Sequence, residues 1–297
     1  GASLCNRFLY YWLQSKKREF ERIAMGNTIK TIGLSYFRQL KLPLPTKTEQ
    51  QAIAEALSDA DALIELLEQL ITKKRNLKQG AMQELLTSKR RLPGFRGEWH
   101  SISMKSNAVL KARIGWQALT TAEYLKSGEY FLVTGTDFIA GKVNWSTCHF
   151  VNRWRYVQDS NIQLRNGDVL LTKDGTIGKV GYVEDLRGLA TLNSGVFVIR
   201  PVDKAFDPLF LFYILSSRIF DDFLGKITAG STITHLYQKD FVTFTFEAPQ
   251  LEEQTAIGEI LSDMDVEIGS LESKLNKAKQ IKQGMMQELL TGRIRLV

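Results

Sequence analysis

The stretch LLTKDGTIGKVGYV, residues 170–183, gathers Lys173, Asp174, Thr176 and Lys179 around one glycine-rich turn between two β-branched runs. Lysines on such a turn suit phosphate contacts, and an aspartate suits the amino group of a cytosine. A solvated hairpin turn, with its Asp-Gly pair serving geometry alone, explains the same residues equally well. A second group is NWSTCHFVNRWRYVQ, residues 144–158, where Arg153 and Arg155 alternate with Trp154 and Tyr156 after Trp145 and His149. Arginines among aromatics suit base edges and phosphates. The plainer alternative puts Trp154 and Tyr156 in the core and the arginines on the surface. A third group is the hydroxylic run Ser231, Thr232, Thr234 and His235, reaching Tyr237, which suits donation to phosphates or the capping of a turn.

Other chemistries find no residues to carry them. GTIGKVG, residues 175–181, lacks the four-residue spacer and the Ser or Thr after the lysine that a phosphate-binding loop needs. The three histidines, His100, His149 and His235, stand at no metal-ligand spacing to a cysteine or carboxylate. No nucleophile elbow or kinase-like set is present. The expectation is therefore no catalytic residue, no metal and no cofactor held by this chain.

Positioning falls to an unusual framework. Residues 49–87 align without a gap to residues 253–291, and 22 of the 39 positions are identical. The match extends upstream: GNTI at residues 26–29 faces GSTI at 230–233, and FLYYWLQS at 8–15 faces FLFYILSS at 210–217. One structural unit is thus used twice, which predicts an approximate two-fold arrangement of the kind that suits duplex DNA. Within each copy apolar residues recur every 3.5 positions. Leu57, Ile64, Ile71 and Leu85 form one row, with Leu67 in the second. Leu261, Ile268, Leu275 and Leu289, with Leu271, repeat the pattern. A spacing held over four heptads predicts two long helices that pair antiparallel as a coiled coil. Lys78 and Lys282 interrupt the seam at the same place in both copies, read as lysines that snorkel at its edge.

Strand-like passages ending in proline precede each helix, at residues 37–45 and 241–249, and LFLFYILSSRIFDDFL reads as one amphipathic helix. Between Trp99 and Pro201, glycine turns separate short β-branched runs, which predicts a compact mixed domain. The fold class is α/β (α+β): one mixed domain flanked by two long antiparallel coiled-coil helices. The expected divisions are 1–48, a first helix over 49–92, the mixed domain over 93–251 and a second helix over 252–297.

Composition narrows the class. No run of eighteen apolar residues exists, and the first residues lack the basic and small-residue pattern of a signal peptide. Two cysteines, Cys5 and Cys148, make no disulfide framework, which fits a reducing cytoplasm. The net charge of +7 favours a polyanionic partner, although its excess sits largely in the first copy, at Lys73, Lys74, Arg75 and Lys89 to Arg91.

With both helix copies in view, including TKTEQQAIAEALSDADALI, LKQGAMQELLT and IKQGMMQELLTGRIRL, together with RRLPGFRGEW, GDVLLTKDGTIGKVG and LNSGVFVIRP, the sequence resembles the specificity subunit of type I restriction–modification enzymes. The resemblance covers nearly the whole chain. It implies target-recognition domains that each read half of a bipartite site in double-stranded DNA. It also implies long helices that set the half-site spacing and dock methyltransferase (M) subunits and, indirectly, the restriction (R) subunit. S-adenosylmethionine, ATP and Mg belong to those partners, and the specificity subunit is non-catalytic by itself. A full family member has a whole recognition domain before its first long helix, whereas here the preceding residues match only the tail of the later domain. A truncated piece, a reduced subunit completed by a second copy or another chain, and a silent recombination cassette are all expectations consistent with this. A coiled-coil scaffold whose domain binds protein is the alternative from a different class.

Overall fold

The computed structural model describes residues 4–24, 31–228 and 235–296. Along the chain run α1 (Asn6–Ser15), α2 (Lys17–Ile23), α3 (Leu34–Gln39) and the long α4 (Lys47–Leu85). Then follow β1 (His100–Ser103), α5 (Met104–Asn107), β2 (Ala108–Ala112), β3 (Tyr130–Val133), β4 (Phe138–Ile139), β5 (Lys142–Val143) and β6 (His149–Val151). The domain continues through α6 (Arg153–Val157), β7 (Val169–Thr172), β8 (Val180–Tyr182), β9 (Leu189–Leu192) and β10 (Val196–Pro201). It closes with α7 (Pro208–Leu215), α8 (Arg218–Thr228), α9 (Gln238–Phe241), β11 (Thr245–Ala248) and the long α10 (Leu251–Leu289). The fold is mixed helix and sheet, with a long helix near each end. No helix among the described residues is long and apolar enough to cross a membrane.

Both long helices have 39 residues, about 58 Å of α-helix, and their bounds coincide when one copy is shifted onto the other. Neither contains a proline, and each stops where the chain turns left-handed, at Ser88 (φ 57°) and at Gly292 (φ 74°). The repeated sequence thus repeats even the cap, with serine where glycine would be unstrained.

The chain forms two compact units, residues 1–77 with 265–297 and residues 78–264. In the first, Phe8, Tyr11, Trp12, Ile53, Ala54, Leu57, Leu289 and Leu290 make the core. Ile71, Ile268, Leu271 and Ala278 are buried, and Ile64, Leu67 and Leu275 half-buried, while Leu63, Leu66 and Val266 are exposed. The helices run antiparallel here, because ion pairs join low numbers to high ones. Glu49 pairs with Arg295, Asp61 with Lys282, Glu68 with Lys279, Lys74 with Glu267 and Arg75 with Glu272.

Lys282 does more than snorkel. Its ammonium lies 2.6 Å from Asp61 and 5.4 Å from the ring centre of Tyr11, whose hydroxyl donates to Asp61 at 2.9 Å. Lys78 in the other unit likewise lies over a tyrosine, 5.1 Å from the ring centre of Tyr213. A lysine in an apolar seam is tolerated because an aromatic face and a carboxylate replace its water. Other contacts recur as well. Gln50 accepts from the Cys5 amide and donates to the Pro45 carbonyl, and Gln254 does the same for Asp207 and Pro249. Glu49 with Arg295 is matched by Glu253 with Arg91.

The second unit carries three sheets. Six strands follow the order β2-β10-β7-β8-β5-β4, three follow β6-β3-β9, and β1 pairs β11 alone. All pairings are antiparallel except β3 with β9 and β5 with β8. β7 and the first four residues of β10 are buried, as central strands covered on both faces must be. A cluster of aromatics from α7, α8 and the segment from α9 through β11, including Phe210, Phe220, Phe241, Phe244 and Phe246, packs on one side with Leu85, Leu86, Ile257 and Leu261. Val133, Phe138, Trp145, Ile162 and Leu192 form the other cluster.

Sequence expectations change in three places. The long helices stop at Leu85 and Leu289, short of the expected residues 92 and 297, because the chain turns left-handed at Ser88 and Gly292. LFLFYILSSRIFDDFL is not one amphipathic helix but two, α7 and α8, split at Ser216 and Ser217. All of Phe210 to Leu215 is buried, as expected of a helix apolar on every side. The Ser217 hydroxyl accepts from the Ile219 amide and so caps α8. Residues 37–45 form no strand: α3 occupies their start, and Leu40 and Leu42 pack on the unit's core. Residues 241–249 do supply a strand, β11, because β1 offers it a full ladder from His100 with Ala248 to Ser103 with Thr245.

Candidate nucleic-acid interface

Three loops of the second unit meet at one edge of the sheets. They are residues 134–136 after β3, residues 173–179 between β7 and β8, and residues 193–195 between β9 and β10. Together they line an open cleft with Thr134, Thr136, Asp174, Thr176, Lys179, Asn193 and Ser194 among its walls. The hairpin is held from within: Thr172 donates its amide to the Lys179 carbonyl at 2.9 Å and accepts from the Gly178 amide at 3.0 Å. Gly178 sits at φ 82°, and a Cβ there would meet Leu224 at 2.5 Å, so both backbone and packing require glycine. Gly135 is close-packed too, since a Cβ would lie 2.5 Å from the Thr172 methyl.

Polar side chains inside the cleft brace the loops. Lys179 donates to the Gly135 carbonyl at 3.0 Å, tying the hairpin to the neighbouring loop. Thr134 donates its amide and hydroxyl to Asp137, each at 2.8 Å, and Asp137 is buried. Asn193 accepts from Gly195 and Ser194 and contacts the hydroxyl of Tyr124. Burial, together with the charge of Asp137, pushes the Cys148 thiol up to about 12, so this cysteine stays protonated.

The residues expected at the interface divide sharply. Asp174 and Thr176 line the cleft, and the Asp174 carboxylate contacts the imidazole of His235. Tyr237 is exposed, with its ring 4.5 Å from that of His235. Lys173 turns inward instead, 5.5 Å from the centre of the Phe197 ring. Trp145 is a core residue, 8% exposed, whose indole donates to the Glu184 carbonyl. Arg155 is held by Glu123 at 2.7 Å, by the Gln117 carbonyl and by Gln158. Arg153 is exposed on α6 and has no ion pair among the described residues. Ser231, Thr232 and Thr234 lie outside the described residues.

Several residues that organise this edge gave no sequence signal as such. Arg113 is 1% exposed and donates to the carbonyls of Leu192 and Arg155 and to the Thr191 hydroxyl. Burial lowers its pKa, an effect opposed by neighbouring carboxylates. At the opposite end of β7 and β10, away from this edge, Arg200 grips the buried Asp168 through two hydrogen bonds, at 2.6 and 2.7 Å. The convergence of residues 134–136 and 193–195 on the hairpin likewise has no local sequence signal. Among the described residues no group of three or more His, Cys, Asp or Glu side chains is placed to hold a metal ion.

A profile of the type I restriction modification DNA specificity domain matches residues 2–73 and 111–280. The chain belongs to that family. It is 27% identical to the type I restriction enzyme MjaVIII specificity subunit of Methanocaldococcus jannaschii, over 97% of this chain and 70% of that protein. Its fold is similar to the crystal structure of the type I restriction-modification S subunit from M. genitalium, with TM-score 0.68 and 21% identity, over 96% of this chain and 72% of that one. The HsdS subunit from Thermoanaerobacter tengcongensis is also similar, with TM-score 0.53 and 17% identity, over 97% of this chain and 70% of that one. As a type I DNA specificity domain, the chain has DNA recognition as its task.

Proposed function

We propose that the second unit reads one half-site of double-stranded DNA with the edge formed by residues 134–136, 173–179 and 193–195, extended by Arg153, His235 and Tyr237. The observation that carries this reading is the family match, which reaches into both copies of the repeat and covers most of the domain between them. In this reading Asp174 and Thr176 meet base edges, Arg153 meets a guanine or a phosphate, and Lys173, Lys179 and Arg155 hold the loops in shape. The paired long helices dock methyltransferase subunits, and those partners bring S-adenosylmethionine, with ATP and Mg entering through the restriction subunit. The chain works in the cytoplasm and performs no methylation, cleavage or ATP hydrolysis alone.

The test is reconstitution with cognate methyltransferase subunits, followed by methylation mapping and DNA-binding titrations at several salt concentrations. A bipartite or palindromic methylated site is expected, with affinity falling as salt rises because phosphate contacts release counterions. A purified chain that methylates or cuts DNA by itself would overturn the non-catalytic role. Binding without sequence preference would favour a scaffold instead.

A further inference from the structure

Trp154 is the aromatic side chain that α6 leaves most open to solvent. It is 55% exposed, whereas the domain buries most of its other large aromatics. Yet its ring is firmly seated. The guanidinium carbon of Arg155 lies 4.2 Å from its centroid, covering one face. The Arg155 side chain is 13% exposed, and its guanidinium is fixed by Glu123 at 2.7 Å, by the Gln117 carbonyl at 3.2 Å and by Gln158 at 3.2 Å. The Arg155 carbonyl in turn accepts from the buried Arg113, which also donates to the carbonyl of Leu192, the residue before Asn193 in the cleft. Tyr124, next to Glu123, contacts Asn193 directly. Two chains of contacts therefore tie the indole to the loop edge already described.

The guanidinium covers one face of the indole, and with more than half of the residue exposed the ring keeps apolar surface open to solvent. Such a ring cannot enter edgewise between base pairs, as the apolar wedges of minor-groove binders do. It can lie flat against an apolar group in a groove. The main apolar feature in the major groove is the 5-methyl group of thymine. Exposed Arg153 beside it supplies the charge that brings such a surface to DNA.

We propose that Trp154 is a specificity-determining residue that packs its exposed apolar surface on a thymine methyl group in the major groove, so that it selects an A·T pair within the half-site. This rests on the DNA-reading role proposed above. Arg113, Arg155 and Glu123 are positioning residues for it.

The experiment uses the chain reconstituted with its methyltransferase subunits and the half-site found by methylation mapping. Each thymine is replaced in turn by deoxyuridine, which deletes only the methyl group. At one position the unsubstituted protein should lose about fourfold in affinity, the weight of one buried methyl. Trp154→Ala should bind the thymine site more weakly and show no further loss with uracil at that position. Trp154→Phe, which keeps an apolar face, should restore part of the difference, and its thermal unfolding serves as the folding control. A uracil penalty that persists in Trp154→Ala, or no uracil penalty at any position while sequence preference remains, overturns the role of Trp154 alone. A protein that shows no preference between the mapped site and scrambled DNA overturns the DNA-reading role, and this proposal with it.

Discussion

Leu57 and Leu261 hold equivalent places in the two copies, and neither exposes any surface. Leu57 belongs to the core of the first unit and Leu261 to a core of the second. Truncating either to alanine removes three carbons, about 2.4 kcal/mol of transfer free energy at about 0.8 kcal/mol per methylene. The cavity left behind adds to this, so each substitution should cost about 3–5 kcal/mol. Leu63 is on the same helix as Leu57 but is 51% exposed, so Leu63→Ala should cost about 1 kcal/mol or less. Urea unfolding followed by circular dichroism, with amide exchange resolved by peptide, reads both the size and the location of each effect. Leu57→Ala should raise exchange in residues 4–24 and 285–296, and Leu261→Ala in α7, α9 and β11. Equal losses from Leu57→Ala and Leu63→Ala would refute the assignment of the inward face of α4.

Ile64→Asp with Ile268→Asp should separate the long helices, since unpartnered buried carboxylates are costly, and sedimentation with methyltransferase subunits should show lost assembly. Ser88→Gly should stabilise the protein by up to about 1 kcal/mol, read by thermal unfolding, because the left-handed backbone there strains any residue with a Cβ. Hydrogen bonding from Arg295 holds the Glu49 carboxyl below the usual carboxylate range. This contact should therefore be fully formed above the ordinary carboxylate pKa and lost as the pH falls through the lowered value. Amide exchange in residues 290–296, corrected for its intrinsic pH dependence, should report that loss, and Glu49→Gln should abolish it. Cys148, with its thiol pushed up to about 12 inside the core, should resist a thiol reagent at pH 8 until the protein is unfolded.

The long helices were legible because a 3.5-residue period over 39 residues has few other physical solutions. Their breaks and neighbours were not. Ser216 and Ser217 end one helix and start the next through a hydroxyl cap, a choice made when tertiary burial of Phe212 to Leu215 outweighed helical continuity. Residues 241–249 became a strand and residues 37–45 did not, since a strand depends on the partner beside it rather than on its own alternation. The hairpin with Lys173 and Asp174 was legible from its glycines. The other two walls of the cleft, residues 134–136 and 193–195, are separated from the hairpin in sequence by whole strands and arrive through sheet pairing. The RWRY run shows the limit most clearly. Alternation on a five-residue helix says that one set faces inward but not which, and here Arg155 went in while Trp154 stayed out.

Because the two helices are copies, most of their tethers could be made as well between like helices of separate chains as between unlike helices of one. Glu68 with Lys279 and Glu272 with Arg75 are images of each other, so a first helix facing another first helix would still match Glu68 to Arg75. Lys74 with Glu267 has no such image: the corresponding positions are Ala278 and Leu63. In a like-with-like pair Lys74 would face leucine, and Glu267 would face alanine. That single contact gives the duplicated seam a sense of self, distinguishing a chain closed on its own two halves from one joined to a neighbour.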